Sequence, residues 1–305
     1  MNRAQRPLVI SPRYQSTDEL LKRVRLAERL GVDQVWLEQQ PDQRDALVTA
    51  AAYLQAAPSI SVGTAVLPVY ARHPVAMAQA AASLAELSGG RFVLGLGYSH
   101  KFVNEYVLGL RQGPPIGVMR EYVDIVRRLT DTGEVNIDGR HFTAHAQYTD
   151  PPGKVPVYLA ALRPQMIRLA VETGEGIVIW LSSLRYVREQ VMPVVRAACA
   201  EFGKDEKDFT VVTILPAYTG TDETEQKARW AKSAASYRML PYYRHVLDAY
   251  EDTRPEEFSL IGPGPQVQER LAEYREAGCV PVPSPMPGSD EDFISTVEAA
   301  YGPVS

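Results

Sequence analysis

Residues 91–100 read RFVLGLGYSH. The run from Phe92 to Leu96 is almost continuously apolar, the pattern of a parallel strand buried on both faces. Gly95 and Gly97 interrupt it, and it ends in Tyr98, Ser99 and His100. A strand that stops in glycine, a hydroxyl and an imidazole has four readings: a phosphate cradle, a nucleophile elbow, a metal site or a plain turn. The GxG lacks the third glycine of a dinucleotide fingerprint. In GYSHK, Lys101 stands where the GxSxG elbow has its last glycine, which argues against a hydrolase acting through Ser99. No HExxH or similar ligand pair occurs among the five histidines, so no metal is expected. Close packing of the strand on its neighbours accounts for the glycines by itself.

The flanking segments decide the fold. Upstream, PLVI (7–10) and VDQVWLE (32–38) read as strands around a helix that opens at Ser16, with Glu19 three residues on as in a capping box, and stops at Gly31. DALVTAAAYLQAA is a helix and ISVGTAVL a strand. A helix with Pro74 near its start then leads through Gly89-Gly90 into residues 91–100. Downstream, GVMREYVDIVRRLTDTG is a helix and EVNIDGRHFTA a hairpin turning at Asp138-Gly139. VPVYLAA, GIVIWLS and FTVVTILPAY are strands five to seven, with helices between them, one near 185–202. A Tyr-rich helical stretch, 222–250, follows strand seven, and its Tyr237, Tyr242 and Tyr243 read as packing a helix on the barrel. CVPVPS is strand eight, expected to be short because Pro281, Pro283, Pro285 and Pro287 donate no ladder hydrogen bonds. Eight strand–helix units predict a (β/α)8 TIM barrel over 1–305, one domain with insertions after strands 4 and 7. A doubly wound open sheet is the alternative.

Composition narrows the function classes. The 305 residues are 45% hydrophobic and 23% charged, with a net charge of -5. No basic stripe suggests nucleic acid, and no segment has the length of a membrane span. Two cysteines without CxxC spacing, and no signal peptide, predict a cytoplasmic protein.

In a barrel the chemistry sits at the C-terminal strand ends. Those ends carry Ser11, Arg13 and Tyr14; Glu38, Gln39 and Gln40; Ala65, Val66, Pro68 and Tyr70; Gly97, Tyr98, Ser99 and His100; Ala160, Ala161, Leu162, Arg163 and Pro164; Trp180 and Ser182; and Tyr218. The mixture of aromatic and polar groups suits a flat, partly charged ligand. In AALRPQMIRLA a helix opens at Pro164 beside Arg163. That is either a phosphate site or an ordinary strand–helix turn.

ARHPVAMAQAAASLAELSGGRFVLGLGYSH, VPVYLAALRPQMIRLA, SYRMLPYYRHVLDAY and SLIGPGPQVQERLAEYREAG together resemble the luciferase-like (β/α)8 family, and within it the actinobacterial branch dependent on coenzyme F420, a deazaflavin. The resemblance implies a strand-three bulge with a non-prolyl cis peptide at Ala65–Val66, backing the deazaflavin ring. It implies a phosphate grip over Ala160, Ala161, Leu162, Arg163, Pro164, Gln165 and Met166, and a cofactor border formed by Gly97, Tyr98, Ser99, His100 and Asn104, with Pro68 and Trp180 nearby. Sugar-phosphate dehydrogenases of the family place His after strand two and Glu after strand four. Gln39 or Gln40 and His100 stand there instead, which puts that activity in doubt. The expectation is therefore hydride transfer between F420 and a small organic substrate, reducing an activated C=C or C=N bond. His100 donates the proton or orients the substrate, with Tyr14 and Tyr98 as rival proton donors. Gln39 and Gln40 hydrogen-bond ring or substrate, and Tyr14, Tyr70 and Tyr218 face the substrate. An FMN-dependent monooxygenase is the alternative and a non-catalytic ligand-binding relative a third reading. A homodimer is expected from the family.

Overall fold

The computed structural model describes residues 5–13, 15–151, 153–250 and 254–303; Tyr14, a candidate substrate and proton-donor residue, lies outside them. Eight strand positions follow one another: β1 (Pro7–Val9), β2 (Gln34–Leu37), β3 (Ser61–Thr64), β4 (Phe92–Gly97), β5 (Val157–Ala160), β6 (Gly176–Trp180), β7 (Thr210–Tyr218) and β8 (Val280–Pro285). Each is parallel to the next from β1 to β8. The sheet curls until β8 lies against β1. Helices α1 (Thr17–Arg29), α2 (Ala46–Ala56), α3 (Pro74–Ser88), α4 (Pro115–Asp131), α5 (Pro164–Thr173), α6 (Met192–Phe202), α7 (Glu223–Tyr237), α8 (Pro241–Leu247), α9 (Gly264–Glu276) and α10 (Asp290–Tyr301) alternate with the strands.

Local sequence explains most of the helix ends. Ser16 and Glu19 close the expected capping box, and Gly89 stops α3 in the left-handed conformation. Two departures have physical causes. The segment 134–147 forms its hairpin, but Asp138 pairs with Thr143, so four residues rather than a tight Asp-Gly turn close it. The Glu121 carboxylate accepts from the amides of Arg140, His141 and Phe142 and pins that loop to α4. β8 is six residues long, not short. In a strand, successive N–H groups point to opposite sides. Pro281, Pro283 and Pro285 therefore remove donors only from the side facing β1, while Val280, Val282 and Ser284 keep the side that pairs with β7.

The sheet buries apolar side chains on both faces. Val9, Trp36, Val178, Val212, Ile214 and Val282 fill the inside of the curl, with Ala65, Val66 and Trp180 packed on them. A larger core lies between sheet and helices.

The β3–β4 seam holds the decisive feature. Gly63 pairs with Val93, and the ladder resumes at Leu67 with Leu96. Four steps on one strand thus span three on the other, a one-residue bulge. The Ala65–Val66 peptide within it is cis. A Cβ on Gly95 would lie 1.7 Å from the Thr64 carbonyl oxygen, and one on Gly97 would lie 2.4 Å from Val66 Cγ2. The two glycines make room for the bulge.

Below the sheet, at the strand N-termini, Glu175 is clamped by both Arg127 η-nitrogens at 2.9 and 3.0 Å and by Lys154 Nζ at 3.0 Å, and it accepts from the Val157 amide at 2.9 Å. Burial opposes its charge, but these partners outweigh burial and hold its carboxyl below the usual range.

Two outcomes follow. Gly95→Ala should cost about 3 kcal/mol, the upper end for an overpacked core, while Gly264→Ala, where the nearest atom is 3.7 Å from the added Cβ, should stay within about 0.5 kcal/mol. Urea unfolding reads both, and equal midpoints would contradict the wedge. Glu175→Gln should cost roughly 3 kcal/mol at pH 7. Because the folded pKa is depressed, that stabilisation is present above the unfolded value of about 4.3 and fades as pH falls through the folded one. A difference from wild type that persists undiminished at pH 2 would contradict this assignment.

Candidate active site

The strand C-termini open on one face, and the bulge lies at its floor. Ala65, Val66 and Trp180 cap the inner core there, and Pro68 pairs with Gly97 at the end of β4. Past Gly97 the chain turns through Ser99, whose φ of +67° is a left-handed conformation uncommon for a side-chain-bearing residue. Leu181 does the same after β6 with φ +60°. Beside it, the Ser182 hydroxyl is fully buried and lacks a hydrogen-bond partner.

His100 stands half-buried behind Ser99, its ring centroid 5.5 Å from Tyr243 and 6.5 Å from Tyr242. Burial lowers its pKa, so the imidazole is neutral at pH 7. A neutral imidazole can accept a proton, and its protonated form can return one.

Four other expected residues are committed to their own chain. Tyr70 and Tyr98 meet edge to face at 5.6 Å and hold Gly113 between them. The Gly113 N–H donates to the Tyr70 hydroxyl at 2.7 Å, and the Tyr98 hydroxyl donates to the Gly113 carbonyl. Gln39 accepts from the Ala46 N–H at 2.7 Å and donates to the Gln40 carbonyl at 2.9 Å, so its amide fastens the start of α2. Tyr218 is buried in the layer between sheet and helices, and its hydroxyl donates to Asp292 at 2.9 Å. Gln40 is exposed, and its backbone N–H donates to Gln43. Asn104 is buried and donates to the Tyr98 carbonyl at 3.1 Å, with its own side-chain oxygen unpaired.

At the end of β5, Ala160 and Ala161 lead to Leu162, whose carbonyl accepts from the Tyr186 hydroxyl at 2.8 Å. Arg163 is exposed at the cap of α5, which begins at Pro164 with no side-chain cap. Met166 packs on the outer core, and Gln165 faces a cavity of about 360 Å³ between α4 and α5, with Arg120, Arg168 and Glu172. The backbone at the α5 start thus faces the mouth region, while the Gln165 side chain lines the outer groove.

The structure gives partners to strand-end groups to which the sequence assigned no role. Glu38, at the end of β2, accepts from the Ser11 hydroxyl at 2.5 Å and from Gln43 at 2.8 Å. Arg13 pairs with Asp42 at 3.0 Å. Tyr237 of α7 approaches Trp180 at 6.3 Å and Tyr243 at 5.0 Å, and Trp230 meets Trp180 at 5.7 Å. The tyrosines expected merely to pack a helix therefore reach the strand ends. The available signal was their place, a Tyr-rich stretch directly after a strand mouth. Among the described residues, no group of three or more His, Cys, Asp or Glu could hold a metal ion, and no helix is long and apolar enough to cross a membrane.

The family described as luciferase-like monooxygenase matches residues 3–280. The chain is 32% identical over 212 residues to a 5,10-methylenetetrahydromethanopterin reductase of Archaeoglobus fulgidus, covering 69% of this chain and 63% of that relative. It thus spans less than two thirds of that protein's length. It is 25% identical over 314 residues to an F420-dependent glucose-6-phosphate dehydrogenase of Rhodococcus erythropolis, covering 93% of each. In fold it matches an F420-dependent secondary alcohol dehydrogenase, solved with an F420–acetone adduct, at a TM-score of 0.83 and 19% identity over 97% of each chain. The curled parallel sheet, the bulge at its mouth and the match over most of the length agree: this chain belongs to the luciferase-like monooxygenase family.

Proposed function

We propose that the protein is an F420-dependent oxidoreductase, a single barrel domain working in the cytoplasm as a homodimer, that transfers a hydride between the deazaflavin and a small organic substrate. The observation that carries the reading is the bulge. It sets a small, apolar backbone surface, Ala65–Val66, on the inner core beside Trp180, next to the open start of α5. That donor set fits the cofactor. An apolar floor and an indole suit a flat ring, and free helix N–H groups with an exposed guanidinium suit a phosphate. The relatives named as F420-dependent support it further. The buried free thiols of Cys199 and Cys279 support a reducing compartment.

When bound, the deazaflavin supplies a carbon centre that gives or takes a hydride. Ala65 and Val66 would back the ring, with Pro68, Gly97, Tyr98, Ser99 and Trp180 around it. The backbone of Ala160, Ala161, Leu162, Pro164, Gln165 and Met166 would hold the phosphate, with Arg163 adding charge. His100, neutral and set back behind Ser99, would take the hydroxyl proton of an alcohol as hydride leaves the adjacent carbon. In the reverse direction, protonated His100 returns it, and reduction of a C=C or C=N bond draws on the same proton.

Titration of the protein with F420 and with FMN tests the cofactor: F420 should bind at least tenfold more tightly. Tight FMN binding without F420 binding would instead support a flavin monooxygenase. Arg163→Ala should weaken F420 about tenfold, the worth of one charge-assisted contact. In the oxidising direction the rate should rise with pH to a plateau, with an inflection below the ordinary imidazole value of about 6.5. His100→Ala should lose that inflection and about 100-fold in rate. An unchanged profile would remove His100 from the chemistry.

A further inference from the structure

The connection after β7 places rings over the strand ends. Trp230 and Tyr237 come from α7, and Tyr242 and Tyr243 from α8. The contacts run in a row: Trp230 to Trp180 at 5.7 Å, Trp180 to Tyr237 at 6.3 Å, Tyr237 to Tyr243 at 5.0 Å and Tyr243 to His100 at 5.5 Å. Trp180 ends β6 and His100 follows β4, so the row arches across the end of β5 between them. Tyr237 and Tyr243 are its keystones, each linking a strand-end residue to the other.

The arch itself is built of rings, and Arg163 at the end of β5 is assigned to the cofactor phosphate in the reading above. Glu38 and Asp42 are carboxylates, and Arg13 is already paired with Asp42. Tyr237 feels both Arg13 and Glu38. Burial also disfavours charge on His100, the residue at the far end of the row. A phosphate or polycarboxylate on the substrate would lose its hydration against rings.

We propose that Tyr237 and Tyr243 form the substrate-facing wall of the mouth and restrict the enzyme to compact, uncharged, largely apolar substrates, excluding phosphorylated ones. The redox role of that substrate rests on the F420 reading above; the wall itself does not need the cofactor. The test uses the full chain with cyclohexanone and glucose 6-phosphate as probes, each by calorimetry, with and without F420. Binding of F420 alone is followed by its own fluorescence. Cyclohexanone should bind in both conditions and, once F420 fills the phosphate grip at α5, at least tenfold more tightly than glucose 6-phosphate. Tyr237→Ala and Tyr243→Ala should each weaken it at least tenfold, and Tyr243→Phe should retain it. Preference of the F420-loaded protein for glucose 6-phosphate, or alanine variants that bind cyclohexanone like wild type, would overturn the wall. If both alanine variants unfold, the wild-type preference decides alone. F420 binding with sugar-phosphate preference overturns the wall and leaves the cofactor reading intact. Cyclohexanone selectivity without F420 binding does the reverse.

Discussion

The mouth depends on one steric fit, the wedge of the strand-three bulge against glycines 95 and 97. A side chain at Gly95 would occupy the space of the Thr64 carbonyl, and one at Gly97 would overlap Val66. Thr64 compensates for the interrupted ladder: its hydroxyl accepts from the Gly95 N–H at 2.8 Å and donates to the Gly95 carbonyl at 2.9 Å. The bulge therefore sits close to β4 with both backbone groups of Gly95 paired. Its position sets Ala65 and Val66 on the inner core beside Trp180, and everything proposed about the cofactor floor follows from there.

This changes what residues 91–100 mean. Their glycines look like openings for a ligand, but they are filled by the chain's own backbone and by Val66. The ligand surface proposed above belongs to strand three. Ser99 and His100 contribute at one remove: a left-handed turn carries the chain away from the strand and sets the imidazole under Tyr243.

Local signals made the fold legible. Apolar runs, Ser16 and Glu19, Pro74 and Gly89 mark elements whose determinants lie within a few residues. Where the determinant was directional, the sequence misled. Alternating prolines in β8 look like ladder breakers until their missing donors are seen to fall on one side. The site was legible as a set of strand ends but not as side-chain directions. Tyr218 is claimed by Asp292, 74 residues away, Tyr98 by Gly113 and Gln39 by Ala46. Each partner is fixed only by the assembled fold. The same holds for His100, whose pKa is lowered by burial and whose ring lies against Tyr243 of α8 rather than against any neighbour in sequence.

The proposed picture is a floor from β3, a phosphate grip at α5, a base after β4 and an aromatic arch from the β7 connection. The most direct test of its centre is a crystal structure of the protein with oxidised F420. The account predicts the ring lying on the Ala65–Val66 bulge and the phosphate at the amides that open α5, near Arg163. A ring bound away from the bulge, or a phosphate held elsewhere, would contradict it.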